Sequence, residues 1–461
     1  MKKGILGIFF CWWGMFAYGQ YQEALQQLLE TEGLEHAAIG ISVKKVANGQ
    51  PVVTYQDQMA LTPASVAKII PTWFALQEKG KNFRFHTLIH YTGEIKDSIL
   101  VGNITLLAAG DPTLDSRYFP HHTLVTPLVA AIGKAGIKCI QGDVLVEGAE
   151  VGTHIPGSWA WEDISNYYGA SYLPFNYRDN TFTLLLQSGQ PGTETKLLSV
   201  TPALPEVKIK NEVKAATNKK DDAWIFGGPY SRVLCVKGTI PAGRKSFKVK
   251  GAMHDPAACF IQEVKEALKQ KNIEVKGQQC TSNQSTLLLQ LYSPRLEEIV
   301  FHTNKSSINL FAEALGHLVA NGDNWTDRLS ALFSQLHLDA SGITLKDASG
   351  LSVFDAVPAC LFTDLLVNIG QQKENAFIRS LPVAGIDGGL AGYCSAWPLL
   401  KNNLKAKTGS MSGVRCLAGF LVDKTGEQLA FTVMINHYKC TTSQLQKAIG
   451  RFLNHLYTFP D

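Results

Sequence analysis

The order of apolar and polar positions changes character several times along the chain. Residues 22–34 read as a helix. Ala37–Val46 and Pro51–Tyr55 read as strands joined through Asn48-Gly49, a strong hairpin turn. An apolar run, Ile69 to Leu76, then follows Leu61-Thr62-Pro63, a helix start with proline near the first turn. Helix, hairpin and helix in this order build an antiparallel sheet carrying a helix on its face.

From about Phe83 short strands alternate with Gly, Pro and Asp turns: Ile89–Thr92, Ile99–Val101 and Asn103–Leu107, then Gly110-Asp111-Pro112. Leu124–Ala135 reads as a helix, with Ile137–Ile140 and Asp143–Val146 as strands after it. Strands from Asn180 to Lys250 are shorter and more polar, and 256–269 is an amphipathic helix. A denser pattern returns after Ser285. Pro294–Asn304 reads as a helix capped by Ser293, and Asn309–Ala320 as another. Arg415–Val422 and Leu429–Asn436 are strands joined at 423–427. The closing helix, 443–457, buries Leu445, Ile449, Leu453 and Leu456 as one core stripe.

Composition narrows the class. The 461 residues are 45% hydrophobic and 18% charged, as in a globular protein of two or three domains. A formal charge of +4 gives no case for nucleic acid. Met1-Lys2-Lys3, the apolar stretch Ile5–Ala17 and Ala17-Tyr18-Gly19 read as a secretory signal peptide over 1–19. Cys11 lies inside its apolar core, away from the cleavage point, so no lipoprotein is expected. The protein is expected to be exported to the periplasm, with the cleaved signal as its one membrane contact. The eight remaining cysteines form neither Cys-x-x-Cys nor zinc-like spacing. The Asn-x-Ser/Thr matches at Asn103, Asn283, Asn304 and Asn324 are read as chance.

The chemistry begins at Ser65-Val66-Ala67-Lys68. On a helix, positions i and i+3 share a face roughly 5–6 Å apart, so Ser65 and Lys68 can exchange a proton. A serine hydroxyl is a weak nucleophile until an adjacent base takes that proton. A second Ser-x-x-Lys, Ser42 to Lys45, lies in a strand, where i and i+3 point to opposite faces roughly 10 Å apart. Ser307-Ile308-Asn309 is the only Ser-x-Asn, and by itself Ser307 is an ordinary N-cap. Lys-Thr-Gly occurs at Lys407 and at Lys424. The second copy sits in a turn. The first follows an extended segment and runs on as Lys407-Thr408-Gly409-Ser410-Met411-Ser412. On a strand edge Lys407 and Gly409 share a face, and glycine there lets a substrate backbone come close.

Ser-x-x-Lys, Ser-x-Asn and Lys-Thr-Gly in this order resemble the penicillin-recognising serine enzymes. Ser307 lies 242 positions beyond Ser65, which calls for inserted domains. Gly110-Asp111-Pro112-Thr113-Leu114, Trp161-Glu162-Asp163 with Tyr168-Gly169-Ala170, Asp255-Pro256-Ala257, Asn304-Lys305, Ser349-Gly350-Leu351-Ser352 and Leu381-Pro382-Val383-Ala384-Gly385 resemble one branch. It is the class C low-molecular-mass penicillin-binding proteins, the D-alanyl-D-alanine carboxypeptidase/endopeptidases. The resemblance implies an α/β (α+β) fold. A transpeptidase-like domain, a five-stranded antiparallel sheet flanked by helices, would occupy 20–90 and 285–461. It would be split by a strand-rich domain at 91–178 and 251–284, with a third nested at 179–250.

The resemblance also implies roles. Ser65 is the acylated nucleophile, Lys68 its base, and Ser307 the proton relay to the leaving amine. Asn309 holds the substrate amide. Lys407 supplies positive potential, while Thr408 and Ser410 bind the terminal carboxylate on the Gly409 strand. The backbone N–H groups of Ser65 and Ser410 form the oxyanion hole. Trp159, Trp161 and Asp163 resemble an insertion loop in which Asp163 pairs with an amine of the stem peptide, with Met411 and Ser412 lining the same pocket. No metal or organic cofactor is implied. The partners implied are peptidoglycan stem peptides, and β-lactams as covalent inhibitors. Two departures stand out. Gly388-Gly389-Leu390 replaces the usual Gly-Thr-Leu, and Val353 stands where a basic residue is common. A β-lactamase or esterase using the same site and a non-catalytic peptidoglycan-binding protein are the alternative readings.

Overall fold

The computed structural model describes residues 21–149, 154–282, 284–372, 375–393 and 395–459. The expected signal peptide with Cys11, and also Asn283 and Cys394, lie outside the described residues. The chain divides into two compact units. One takes Met1–Lys81, Val300–Ile308 and Leu315–Asp461, and the other Asn82–Ile299 and Asn309–Ala314. The expected three-part division is a finer partition than this, and it assigned 82–90, 285–299 and 309–314 differently.

The first unit is built on five antiparallel strands: β1 (Ala38–Lys45), β2 (Pro51–Tyr55), β3 (Leu404–Met411), β4 (Val414–Val422) and β5 (Gln428–Asn436). Their spatial order is β3-β4-β5-β1-β2. The fold is therefore mixed α/β around an antiparallel five-stranded sheet, as the sequence leads one to expect. Almost every residue of β4 and β5 is buried, which is why both read as largely apolar runs and take central places. Chain-terminal β1 enters beside β5, with Ala38 opposite Asn436 and Lys45 opposite Leu429. This leaves β3 at an edge. Its first half is covered by 382–384: Ala384 N–H donates to the Leu404 carbonyl (2.9 Å) and Ala406 N–H to the Pro382 carbonyl (3.0 Å).

The helices that position the site are α1 (21–29), α2 (Ile69–Lys79), α3 (Leu296–Ser306), α4 (Asn309–Ala320), α5 (Ala359–Gly370) and α6 (Thr442–Thr458). The stripe Leu445, Ile449, Leu453 and Leu456 of α6 joins α1 in one core with Ile41, Leu417, Phe431 and Val433. Thr441 and Gln444 close a capping box at the start of α6. On the other face α5 crosses β5 and β1, where Thr363 Oγ1 donates to Thr432 Oγ1 at 2.9 Å.

Two expected boundaries moved. Helix α1 stops at 29, short of 34, because Gly33 turns at φ +87° against Cys440, where a Cβ would meet the backbone nitrogen at 2.5 Å. Helix α3 starts at Leu296, and Ser293 does not cap it. The Ser293 hydroxyl accepts from Phe85 N–H (2.9 Å) and donates to the Pro294 carbonyl instead.

In the second unit His86–Thr92 pairs with Ser285–Tyr292 and Ile104–Leu107, and Val144–Glu147 completes that sheet. Helices Val125–Lys134 and Pro256–Gln270 pack over a core containing Ile89, Leu106, Leu128, Phe260 and Val264. Two further three-stranded sheets, centred on Thr181–Gln187 and Val233–Pro241, share Phe182, Leu184, Val213, Ile225, Val236 and Val249. Among the described residues no helix is long and apolar enough to cross a membrane. Their seven cysteines are free thiols.

Candidate active site

Pro63 precedes a 3₁₀ turn, Ala64–Lys68, that leads straight into α2. The sequence predicted a plain helix here. In the tighter turn i and i+3 eclipse one another, and Lys68 Nζ lies 2.8 Å from Ser65 Oγ. From Pro63 to Ile70 every residue is buried except Ser65, which is half-buried. The turn is held from below. The Thr62 carbonyl accepts from Cys416 Sγ (3.4 Å), and the Asn436 amide pairs with both Thr62 N–H and C=O (2.8 and 3.3 Å). Ala64 takes a left-handed φ of +46°, unusual for a residue with a Cβ.

Lys68 is fully buried, and its amine also donates to the Ser349 carbonyl at 2.6 Å. That carbonyl is fixed by a short loop wound on Asp347, whose carboxylate accepts from the N–H groups of Gly350, Leu351 and Ser352 at 2.6, 2.9 and 2.7 Å. Gly350 is required there: at φ +74° its Cβ would fall 1.9 Å from the Ala64 carbonyl oxygen. The second Ser-x-x-Lys has none of this. Ser42 is buried within β1, and Lys45 pairs with Glu427 at 3.1 Å.

Edge strand β3 carries Lys407, and its register sorts the side chains onto two faces. Lys407 and Gly409 face the serine turn. A Cβ on Gly409 would meet Pro63 O at 2.5 Å and Val66 N at 3.1 Å. The close approach assigned from sequence to a substrate backbone is thus taken by the protein's own turn. Lys407 is 1% exposed, and its amine reaches Ser307 Oγ and the Thr408 carbonyl, each at 2.8 Å. Burial, followed by the charges of Lys68 and Arg415, holds the Lys407 amine well below the usual lysine range. Ser307 is not the N-cap its sequence position suggests. Helix α3 ends at Ser306, Ile308 caps α4, and Ser307 sits between them at φ +56° with its hydroxyl on Lys407.

Thr408 and Ser410 occupy the other face. Gly389 abuts Thr408, where a Cβ would be 2.3 Å from Thr408 Oγ1, so the threonine expected at 389 has no room. Ser410 and Ser412 are exposed and Met411 is half-buried. Lys305 of α3 clamps the neighbouring loop, reaching both Asp387 oxygens (2.8 and 2.7 Å) and the Leu381 carbonyl (2.7 Å). Asn304 is fully buried, with its amide on Ser380 Oγ at 2.8 Å, so it is closed to a glycan. The other Lys-Thr-Gly is structural: Asp423 Oδ1 accepts from the Thr425 N–H and hydroxyl and from Glu427 N–H.

Asn309, Trp161 and Asp163 belong to the second unit. There the Asn309 amide donates to the Tyr168 carbonyl at 2.7 Å, and the Tyr168 hydroxyl donates to Asp163 Oδ1 at 2.9 Å. Burial pushes the Asp163 carboxyl up, against the pull of that hydrogen bond. Trp159 is buried, while Trp161 is 60% exposed beside Gly228. Buried Asn166 holds this loop to Ile225, accepting from its N–H (3.0 Å). Sequence reasoning missed Asp347, Asn166 and the Ser349 carbonyl. The first two are polar residues in ordinary loops, and the third is a backbone atom without a sequence signal.

What such a constellation does in other proteins is informative. Residues 21–456 match the model of the D-Ala-D-Ala carboxypeptidase 3 (S13) family. The chain is 27% identical over 443 residues to D-alanyl-D-alanine carboxypeptidase DacB of Haemophilus influenzae, covering 90% of this chain and 88% of that one. It is 26% identical over 457 residues to the D-alanyl-D-alanine carboxypeptidase of Actinomadura sp. strain R39, covering 90% and 81%. Its fold is that of crystalline penicillin binding protein 4 (dacB) from Haemophilus influenzae, with a TM-score of 0.78 at 24% identity over 95% of this chain and 98% of that one. The same protein has been crystallised with a β-lactam bound, and that structure matches with a TM-score of 0.75. From the first helix to the last, over residues 21–456, this chain belongs to the D-Ala-D-Ala carboxypeptidase 3 (S13) family.

Proposed function

We propose that this enzyme of the D-Ala-D-Ala carboxypeptidase class releases the terminal D-alanine of peptidoglycan stem peptides, or cuts D,D-crosslinks, through an ester on Ser65. Ser65 Oγ attacks the carbonyl carbon of the penultimate D-alanine as its proton passes to the Lys68 amine. The oxyanion accepts hydrogen bonds from the backbone N–H groups of Ser65 and Ser410, two donors each worth roughly 3 kcal/mol of barrier. The C–N bond then breaks. The proton returns through Ser307 to the leaving amine, and D-alanine departs. Water, with Lys68 again as base, hydrolyses the ester and regenerates the hydroxyl.

Lys407 keeps positive potential beside Ser307, and Thr408 and Ser410 take the substrate carboxylate. Asn309 takes the peptide amide, while Asp163 and Trp161 select the stem side chain in a pocket that Met411 and Ser412 also line. A penicillin enters the same chemistry: Ser65 opens its lactam ring and keeps the acyl group. The polymer substrate and the N-terminal signal put the enzyme outside the cytoplasm, in the periplasm.

The observation that carries this reading is the 2.8 Å bond between Lys68 Nζ and Ser65 Oγ on a turn packed against the Lys407 strand. Purified mature protein, incubated with monomeric and crosslinked muropeptides, should release D-alanine and take up labelled penicillin. Ser65→Ala should do neither. Persistent D-alanine release by that variant would remove Ser65 from the mechanism.

A further inference from the structure

Arg415 stands out as a charge where the fold has no use for one. It lies in β4, a strand otherwise almost wholly apolar, and is 7% exposed. A charge removed from water needs a partner. Among the described residues no carboxylate lies within ion-pair distance of Arg415, whereas Lys305 and Arg328, both partly buried, each have one. The cationic neighbours make matters worse, since Lys407 feels the charge of Arg415.

Register shows which way this cation faces. Arg415 is directly opposite Ser410 in the β3–β4 pair. Opposed residues on neighbouring antiparallel strands share a face, with Cβ atoms about 4.5–5.5 Å apart. That face carries Thr408 and Ser410, because Lys407 and Gly409 point to the serine turn. The Tyr393 hydroxyl is close enough for the Arg415 charge to act on it. A guanidinium matches a carboxylate with two parallel N–H donors, which a hydroxyl cannot do.

We propose that Arg415 is the charged receptor for the substrate's terminal carboxylate, completing the subsite begun by Thr408 and Ser410. The inference rests on the D,D-carboxypeptidase reading above and deepens it. Beside the Tyr393 hydroxyl and with no carboxylate of the described residues near it, the cation gains a counter-charge when substrate binds, so the enzyme reads the free C-terminus by charge. A peptide whose terminal carboxyl is amidated loses that contact.

The test compares an acyl-D-Ala-D-Ala peptide with its C-terminal amide, in wild type, Arg415→Gln and Arg415→Lys. Wild type should prefer the acid. Arg415→Gln should lower kcat/KM for the acid on the order of 10²-fold and leave the amide within about threefold, so the preference collapses. Arg415→Lys should keep part of it. The melting temperature of Arg415→Gln should hold or rise, because a buried charge has gone. Equal losses on acid and amide, or no loss on the acid, would overturn the proposal. The same acid-to-amide ratio is read as binding affinity in the Ser65→Ala background. Turnover persisting there defeats Ser65 as nucleophile, while the binding ratio still judges Arg415.

Discussion

Gly409 and Pro63 lie so close that no side chain fits between them: a Cβ on Gly409 would sit 2.5 Å from the Pro63 carbonyl oxygen. Gly409→Ala must therefore push the serine turn off β3, since the obstructing atoms are backbone. A shift near 1 Å at a reacting group costs on the order of 10²-fold in rate. We expect penicillin acylation to slow by at least that factor, with the far-ultraviolet dichroism unchanged. An alanine variant that acylates at the wild-type rate would mean that the contact does not set the position of Ser65.

The loop wound on Asp347 predicts a paired loss of stability and rate. Asp347→Ala leaves three backbone N–H groups without their acceptor, which costs about 2–4 kcal/mol in urea unfolding. It also frees the Ser349 carbonyl that steadies the Lys68 amine. Acylation of Ser65 should fall more than tenfold. Asp347→Asn keeps one acceptor oxygen and should fall between the two proteins on both measurements.

Lys407 predicts an alkaline trend. Its amine in the folded protein sits well below the ordinary value of 10.5, first through burial and then through Lys68 and Arg415. From that lowered value up to about 10.4 the unfolded chain holds a proton that the folded one has shed. Stability therefore rises with pH across this window. Lys407→Met should lose turnover, flatten that rise and be the more stable protein at neutral pH. Urea midpoints measured from pH 7 to 10 decide the matter, and parallel slopes would count against it.

His254 predicts the opposite end of the scale. Its Nε2 lies 3.1 Å from Ser165 Oγ, and burial pushes the imidazole down to about 4. Between pH 6.5 and 4 the unfolded chain binds a proton that the folded unit refuses, so stability falls on acidification, by as much as ~3 kcal/mol. His254→Gln should lose that acid-side decline. Thermal melts of both proteins between pH 7 and 4 provide the comparison.

How far the sequence could be read depended on whether a partner was local. The Ser65–Lys68 pairing was legible because both residues share one turn. Strands β4 and β5 were legible because buried central strands are mostly apolar. Ser307 was legible as a motif but not in its conformation, because its partner Lys407 is 100 residues away and no local signal places a left-handed serine between two helices. Gly409 was identified, but the neighbour that demands a glycine was misassigned, since strand periodicity gives a face and not what covers it. Arg415 was read only as the first residue of a strand. Its meaning appears only once register sets it opposite Ser410. The resemblance leads one to expect a basic residue at 353 and a hydroxyl at 389, where this chain has Val353 and Gly389. The first is an exposed valine in the loop after Asp347, and the second is a glycine packed on Thr408.

Residues 382–384 line the outer margin of β3 only as far as Ala406. A stretched peptide chain laid along 407–411 would simply prolong the row they begin, becoming a temporary sixth member of the sheet. Recognition of that kind reads main-chain amides before it reads side groups.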